Sequence, residues 1–229
     1  MKLTLVIITL FFSLTFSLSA QNMLNGMMDN YRFTKMTDGT YTHNNLKISD
    51  IQGTPYLDGE FSPGKITTKD GTVYTEIPLR YNAYSDELEF QKDKDAYNIE
   101  PKTLIIRAEF GGAIFSCKEY DMLGKIQNGL FEVLSEGKAI LLMKYSIRLL
   151  EPEAAKAYGD PKPPRFDDVQ KAYFITINGS PAKLIASKKT LIELFGDKKG
   201  EMESYISKNK LSVKSDVALI KIVAHYNSL

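Results

Sequence analysis

The residues able to do chemistry are few, and their spacing is poor for it. The only histidines are His43 and His225. Zinc needs three or four converging ligands, usually at spacings such as H-x₃₋₅-H or C-x₂-C, and neither histidine has such a neighbour. His43 sits in a His-Asn-Asn loop segment and His225 on the polar face of a helix, so both read as surface residues. The single cysteine, Cys117, would be a nucleophile only beside a base. It alternates with Ala113 and Phe115, and a free Cys in an apolar row is ordinarily a small buried hydrophobe.

Paired carboxylates remain, as in glycoside hydrolysis, where two acids flank the scissile bond. The groups are Asp86, Glu87 and Glu89, then Asp93 and Asp95, then Asp167 and Asp168. All sit at strand ends, in turns or at the close of a loop, where solvated charge explains them. Asp93-Lys94-Asp95 is too short for a calcium loop. Neither the full P-loop pattern G-x-x-x-x-G-K-[ST] nor G-x-S-x-G occurs. The expectation is no catalytic set, no metal and no cofactor.

Binding is the stronger reading. The chain has 13 Tyr and no Trp, and Tyr74, Tyr84 and Tyr97 either form a platform on a sheet or simply cover it. Residues 151–168 hold Pro152, Pro161, Pro163 and Pro164, four of the nine prolines. Such density forbids a continuous helix, and structureless loops above ~12–15 residues are usually functional or disordered. This loop carries Tyr158, Arg165 and Phe166, the candidate binding residues, as a semi-rigid cover over one end of a curved sheet.

The elements that must position these residues are mostly strands. In TVYTEIPLRY (72–81), Val73, Thr75, Ile77, Leu79 and Tyr81 share one face, the period-two pattern of a half-buried strand. Asp70-Gly71 before it predicts a hairpin over 64–80 with a tight two-residue turn. Pro78 removes a backbone donor and predicts an edge or a bulge there. Alternating runs continue at 86–91, at 103–110 with Leu104, Ile106, Ala108 and Phe110 on one side, and after Gly111-Gly112. Runs at 130–134 and 139–150 flank Glu136-Gly137, and the second aims Leu141, Met143, Tyr145, Ile147 and Leu149 one way. Runs at 169–177 and 180–185 flank Asn178-Gly179, the strongest hairpin signal in the chain. Short turns without intervening helices favour antiparallel pairing.

From Ser187 the period becomes helical. Ser187 caps a helix bearing Leu191, Ile192, Leu194 and Phe195 that ends at Gly196. A second helix spans about 199–209, and Ser215 caps a third in which Leu219, Ile222, Val223, Tyr226 and Leu229 occupy one arc, opposite Lys221, His225 and Ser228.

The N-terminus reads MKLTLVIITLFFSLTFSLSA. Lys2, an apolar run from Leu3 to Phe16 and small residues up to Ala20 have the layout of a secretory signal peptide. The run is too short and too broken by Thr and Ser for a bilayer-spanning helix of ~20 apolar residues. Residues 21–50, rich in Asn, Asp, Thr and Met without periodicity, are expected to be a poorly ordered arm with room for one short strand. One cysteine supplies no internal disulfide, so the fold must stand on its core. The chain carries 29 Lys and Arg against 28 Asp and Glu, with one of the cations, Lys2, in the leader. That balance disfavours nucleic acid, whose binding needs a surplus of cations.

The segments GTPYLDGEF (53–61), LRYNAYSDELEF (79–90), FGDKKGEMESYISKNKLS (195–212) and LIKIVAHYNSL (219–229) resemble a group of exported proteins of the Bacteroidota that has no assigned activity. The resemblance spans the chain after the leader and implies a Gram-negative envelope setting. It carries over no site residue. Type IX cargo of that phylum resembles proteins ending in a separate β-rich sorting domain; this chain ends in a helix, which favours the periplasm, so the expected location is periplasmic or secreted.

These observations predict an α+β domain over 51–229: a curved antiparallel β-meander of about eight to ten strands over 51–186, with three short helices over 187–229 packed on it. The expected role is that of an exported, non-enzymatic protein binding an envelope partner or an apolar ligand, with no transmembrane anchor once the leader is removed. The alternatives are a carboxylate-dependent envelope hydrolase and a structural or adhesive module. Mass spectrometry of envelope fractions is expected to find the mature N-terminus at or beside Gln21; an intact Met1 in the membrane would contradict export by cleavage.

Overall fold

The computed structural model describes residues 32–36, 46–153 and 161–229. The leader, most of the N-terminal arm, His43 and Tyr158 lie outside them. Among the described residues thirteen strands form in chain order: β1 (Arg32–Met36), β2 (Ser62–Thr68), β3 (Val73–Asn82), β4 (Glu87–Lys92), β5 (Asp95–Glu100), β6 (Ile105–Phe110), β7 (Ala113–Met122), β8 (Lys125–Ser135), β9 (Ala139–Ser146), β10 (Leu149–Leu150), β11 (Arg165–Phe166), β12 (Gln170–Ile177) and β13 (Lys183–Leu184). Three helices follow: α1 (Lys188–Leu194), α2 (Lys199–Lys208) and α3 (Asp216–Asn227). The class is α+β, with a curled antiparallel sheet and helices near the C-terminus.

The strand order in the large sheet is β1-β5-β4-β3-β2-β6-β7-β8-β9-β12-β13. This is not one meander but two, running in opposite directions from the β2–β6 seam. The reason is edge occupancy. β1 pairs along the outer edge of β5 from Arg32↔Glu100 to Met36↔Ala96, so after β5 the chain returns to the open edge of β2.

Two bulges correct the expected phases. Gly64 pairs with Ile77 and Ile66 with Tyr74, so β3 carries one extra residue between them. Glu76 takes a positive φ of 56° there, which turns Tyr74 to the core and Val73 to solvent. In β6, Thr68 pairs with Ile105 and Thr67 with Arg107; Ile105 is buried and Ile106 is 48% exposed. The β2–β3 turn is also longer than expected. Thr68 N–H donates to the Thr72 carbonyl at 3.0 Å, leaving three residues outside the ladder, with Gly71 at φ 84°. Pro78 lies on an internal strand. Pairing of β3 with β4 begins only at Leu79↔Phe90, so the missing donor falls beyond that ladder.

The curl buries both faces. Ile77, Leu79, Leu88, Phe90 and Phe115 belong to the largest cluster, on the inner face. On the opposite face Tyr120, Phe131, Leu142, Phe174 and Ala182 form a second cluster. It is sealed because β6 leaves β7 after Phe115. The vacated edge then bonds residue 182: Ala182 N–H donates to Glu119 O at 2.8 Å, and Asp121 N–H to Ala182 O at 2.9 Å. Strands β7, β8, β9, β12 and β13 thus close around the Tyr120, Phe131 and Phe174 rings, whose centroids lie 5.2–5.7 Å apart, edge to face.

The helical caps fall where Ser residues place them. Ser187 Oγ accepts from Thr190 N–H at 3.1 Å and Ser215 Oγ from Ala218 N–H at 3.4 Å. Leu141 and Ile175 share one buried cluster with Leu191, Ile206, Leu219 and Ile222. Asn227 ties α3 to the β8–β9 turn: its Oδ1 accepts from Ala139 N–H at 2.7 Å and its Nδ2 donates to Ala139 O at 2.9 Å. Gly137, at φ 143°, makes room for this tie, since a Cβ there would run into the Asn227 amide. Ile222 is fully buried and Lys221 is exposed. Ile222→Asp is therefore expected to cost more than ~3 kcal/mol in chemical denaturation, and Lys221→Asp less than ~0.5 kcal/mol; equal midpoints would contradict the helix phase.

Candidate functional site

Strands β8 and β9 pair only at Glu132↔Met143, Val133↔Leu142 and Ser135↔Leu141. Beyond that the strands part, and Leu130 loses the partner that Tyr145 would have been. Side chains take over its backbone. Leu130 N–H donates to Asp86 Oδ1 at 3.2 Å, and Leu130 O accepts from Lys144 Nζ at 3.1 Å. Lys144 Nζ also donates to Asp86 Oδ1 at 2.5 Å. From the short helical turn after β5, Lys102 Nζ donates to Asp86 O at 2.5 Å and to Asp86 Oδ2 at 3.1 Å.

Asp86 reaches this gap because it ends the β3–β4 turn in the left-handed region, at φ 58°, where Asp is among the tolerated residues. Gly129 leaves the room: a Cβ there would meet the Tyr120 ring at 3.0 Å, Lys144 Nζ at 3.1 Å and Asp86 Oδ2 at 3.3 Å. Lys144 Nζ lies 5.1 Å from the Phe131 ring centroid. Burial draws its pKa below the ordinary lysine value, while Asp86 opposes that shift.

This ion network holds one wall of a hollow. Tyr81 Oη donates to Asp86 Oδ1 at 2.8 Å, which fixes the Tyr81 ring 5.0 Å from Phe115. Phe115 stacks on Phe110 at 5.1 Å, and Tyr145 lies 6.4 Å from both Tyr81 and Phe115. These four rings, with Ala113 and Leu57, line a hollow of about 380 Å³. Its half-buried acid is Glu132, whose Oε2 accepts from Tyr145 Oη. Burial first, then the Asp86 carboxylate, pushes the Tyr81 phenol up; burial and the hydrogen bond to Glu132 do the same for Tyr145. Both phenols stay neutral donors.

The remaining charges around the hollow are Asp58, Glu60 and Arg80. Arg80 is committed elsewhere. Its Nη2 donates to the fully buried Glu89 at 2.6 Å and its Nη1 to Gly59 O at 3.0 Å. Its guanidinium lies 3.5 Å from the Tyr56 ring centroid and 4.1 Å from that of Phe61. A second, larger hollow of about 650 Å³ lies against Lys69, Ile106, Cys117, Lys118 and Thr176. Burial pushes the Cys117 thiol up, which works against a thiolate nucleophile there.

Of the residues expected to bind, Arg165 and Phe166 are placed elsewhere, and Tyr158 lies outside the described residues. Arg165 pairs with Leu150 and bridges to Gln52. Phe166 is buried in the main core, edge-on to Tyr84 at 5.3 Å. Neither lines either hollow. Tyr74 is buried in the core and Tyr97 stacks on Phe90, so the three tyrosines form no common platform. Among the acids, Glu87 accepts from Asn98 and Asp167 from Arg148. His225, half-buried on α3, stacks on Tyr205 at 3.8 Å. Among the described residues no group of three His, Cys, Asp or Glu could hold a metal.

Asp86, Lys144, Tyr81, Tyr145 and Glu132 were the residues sequence reasoning left out as a group. Asp86 stood among the candidate acids, and Tyr81 and Tyr145 in apolar alternation, but nothing in the sequence joined them to each other or to Lys144 and Glu132. Removing one partner of this part-buried ion network strands the others, at ~2–3 kcal/mol. Asp86→Ala is expected to lose that much in urea denaturation, against less than ~0.5 kcal/mol for Asp168→Ala on the exposed loop. Equal losses would remove the network's structural role.

No protein-family model, curated protein or solved structure matches the chain, which leaves the geometry of the aromatic hollow as the guide to its chemistry.

Proposed function

We propose that this chain is an exported, non-enzymatic binding protein of the cell envelope, periplasmic after cleavage near Ala20, that holds a small apolar ligand in the hollow of its curled sheet. One observation carries this: four aromatic rings converge on about 380 Å³, and two of them are held by hydrogen bonds from their hydroxyls to carboxylates. Apolar walls with a few fixed polar groups are the usual make-up of small-molecule sites. Rings already locked in place lose little entropy when a ligand arrives. The resemblance to exported Bacteroidota proteins and the leader-like N-terminus support the envelope setting.

The charge around the hollow sets the ligand's character. Asp58, Glu60 and Glu132 line it, and the one cation, Arg80, is engaged by Glu89. A neutral or cationic ligand with an apolar body fits, and an anionic one is disfavoured. A hydrolase would need two acids facing each other. Asp86, Glu87, Glu89 and Asp167, members of the acid pairs in the sequence, are instead each bonded to a cation or amide.

The test is uptake of N-phenyl-1-naphthylamine, a neutral aromatic dye whose emission rises in apolar surroundings. Saturable uptake is expected from the wild-type chain and not from Ala113→Phe, which fills the hollow from its own wall. An unchanged melting temperature shows that the variant folds. No uptake by the wild type, or equal uptake by both, overturns the reading.

A further inference from the structure

The β7–β8 hairpin ends in an apolar tip that nothing in the described fold uses. Residues 122–128 are all exposed, whereas Tyr120 before them and Gly129 to Phe131 after them are buried. Within this tip, Met122 is 40%, Leu123 97% and Ile126 55% exposed. The exposed Leu184 runs level with Met122, given the parallel bridge between Tyr120 and Ala182.

The turn is an unusual place for such a residue. Met122 pairs with Lys125, leaving Leu123-Gly124 as a two-residue turn with φ of 55° and 82°. That geometry requires positive φ at both positions and favours Asn-Gly or Asp-Gly. The turn is otherwise well made: Gly124 N–H donates to Asp121 Oδ1 at 2.7 Å. Leu at its first position is strained, and the fold gains no contact from it.

We propose that this hairpin tip inserts into a lipid bilayer surface, placing Met122, Leu123 and Ile126 among the acyl chains. The area decides between occupants. Four exposed side chains fall far short of the ~1,200 Å² buried by specific protein–protein interfaces. A bilayer requires no complementary surface and admits apolar side chains to a depth of ~5–10 Å. The flanking charges suit the headgroup layer: Lys125 and Lys183 are exposed, with long stems that keep their ammonium groups in the wet zone. Glu119 is exposed on the same hairpin, and Asp121 lies opposite Ile126 with its carboxylate turned to Gly124 N–H, so net attraction to anionic lipid is small and insertion is chiefly hydrophobic.

The chain contains no Trp, so Leu123→Trp gives a sole reporter at the tip. It is made in the chain from Gln21 onward, which keeps every described element and omits the apolar leader. With vesicles of phosphatidylethanolamine and phosphatidylglycerol, its emission is expected to shift to the blue and to be quenched by brominated acyl chains. In vesicle flotation, Leu123→Asn is expected to bind at least ~10-fold more weakly than wild type. Its melting temperature should be unchanged or higher, because Asn suits the turn. An unshifted emission, equal flotation of the two chains, or self-association through the tip in sedimentation overturns the proposal.

Discussion

The architecture hinges on an unmade piece of ladder. Between β8 and β9 the pairing stops at Glu132↔Met143, and the Leu130 N–H and C=O groups are left facing a gap. A buried backbone group without a partner costs as much as a lost hydrogen bond. Asp86 and Lys144 remove that cost by standing in for the missing strand, one accepting and one donating. Their own charges are satisfied by each other and by Lys102. The exchange ties the β3–β4 turn, the start of β6 and the β8–β9 seam together at one point. It also explains why a sheet this curled can open a hollow without unravelling, since the strands separate where side chains complete the bonding.

From that point the two sides of the sheet follow. On the inner side Asp86 holds Tyr81, and Tyr81 packs on Phe115, so the hollow's wall is set by an ionic network at its back. On the outer side Lys144 lies near Phe131 in the closed five-strand cluster. One ion pair therefore joins two separate apolar cores. Such a joint specifies geometry more than it adds stability, because burying ions consumes much of what their attraction returns. The helices add a third cluster, and Leu134 and Tyr173 touch both it and the main core.

Helices were legible in the sequence because their signals are local. Ser187 and Ser215 cap where a cap was expected, and the arc of Leu219, Ile222, Val223 and Tyr226 is buried, while Leu229, expected on the same arc, is exposed. Strands were legible as strands, yet their phases slipped wherever a bulge intervened. Glu76 and the Ile105–Arg107 step each shift a face, and a bulge leaves no reliable mark when its residues are ordinary. The site was least legible. Asp86 looks like any turn acid and Lys144 like any strand lysine, because they stand 58 positions apart in the chain and only the curl of the sheet joins them. Phe166 drew attention as a loop aromatic, and the same apolarity placed it in the core. Residues that attract notice in a sequence are often those that packing claims first.

Backbone strain sorts the turns by what stabilises them. Among the described residues six that are not glycine take positive φ: Glu76, Asp86, Asp93, Leu123, Asn178 and Lys210. Asn178 and the two aspartates belong to the types that tolerate this region. Asp86 is additionally held by Tyr81, Lys102, Lys144 and Leu130. Glu76 is carried by the bulge that turns Tyr74 and Ile77 into the core. Lys210 ends α2, where Leu211 N–H reaches back to Ile206 O at 3.0 Å, the left-handed stop common at helix ends. Leu123 alone among them is a large apolar side chain, almost wholly exposed, at a turn where a smaller polar residue would fit with less strain. Sparsely populated conformations persist when surrounding structure imposes them or when function requires them. The hairpin imposes the conformation at that position. It does not impose the leucine.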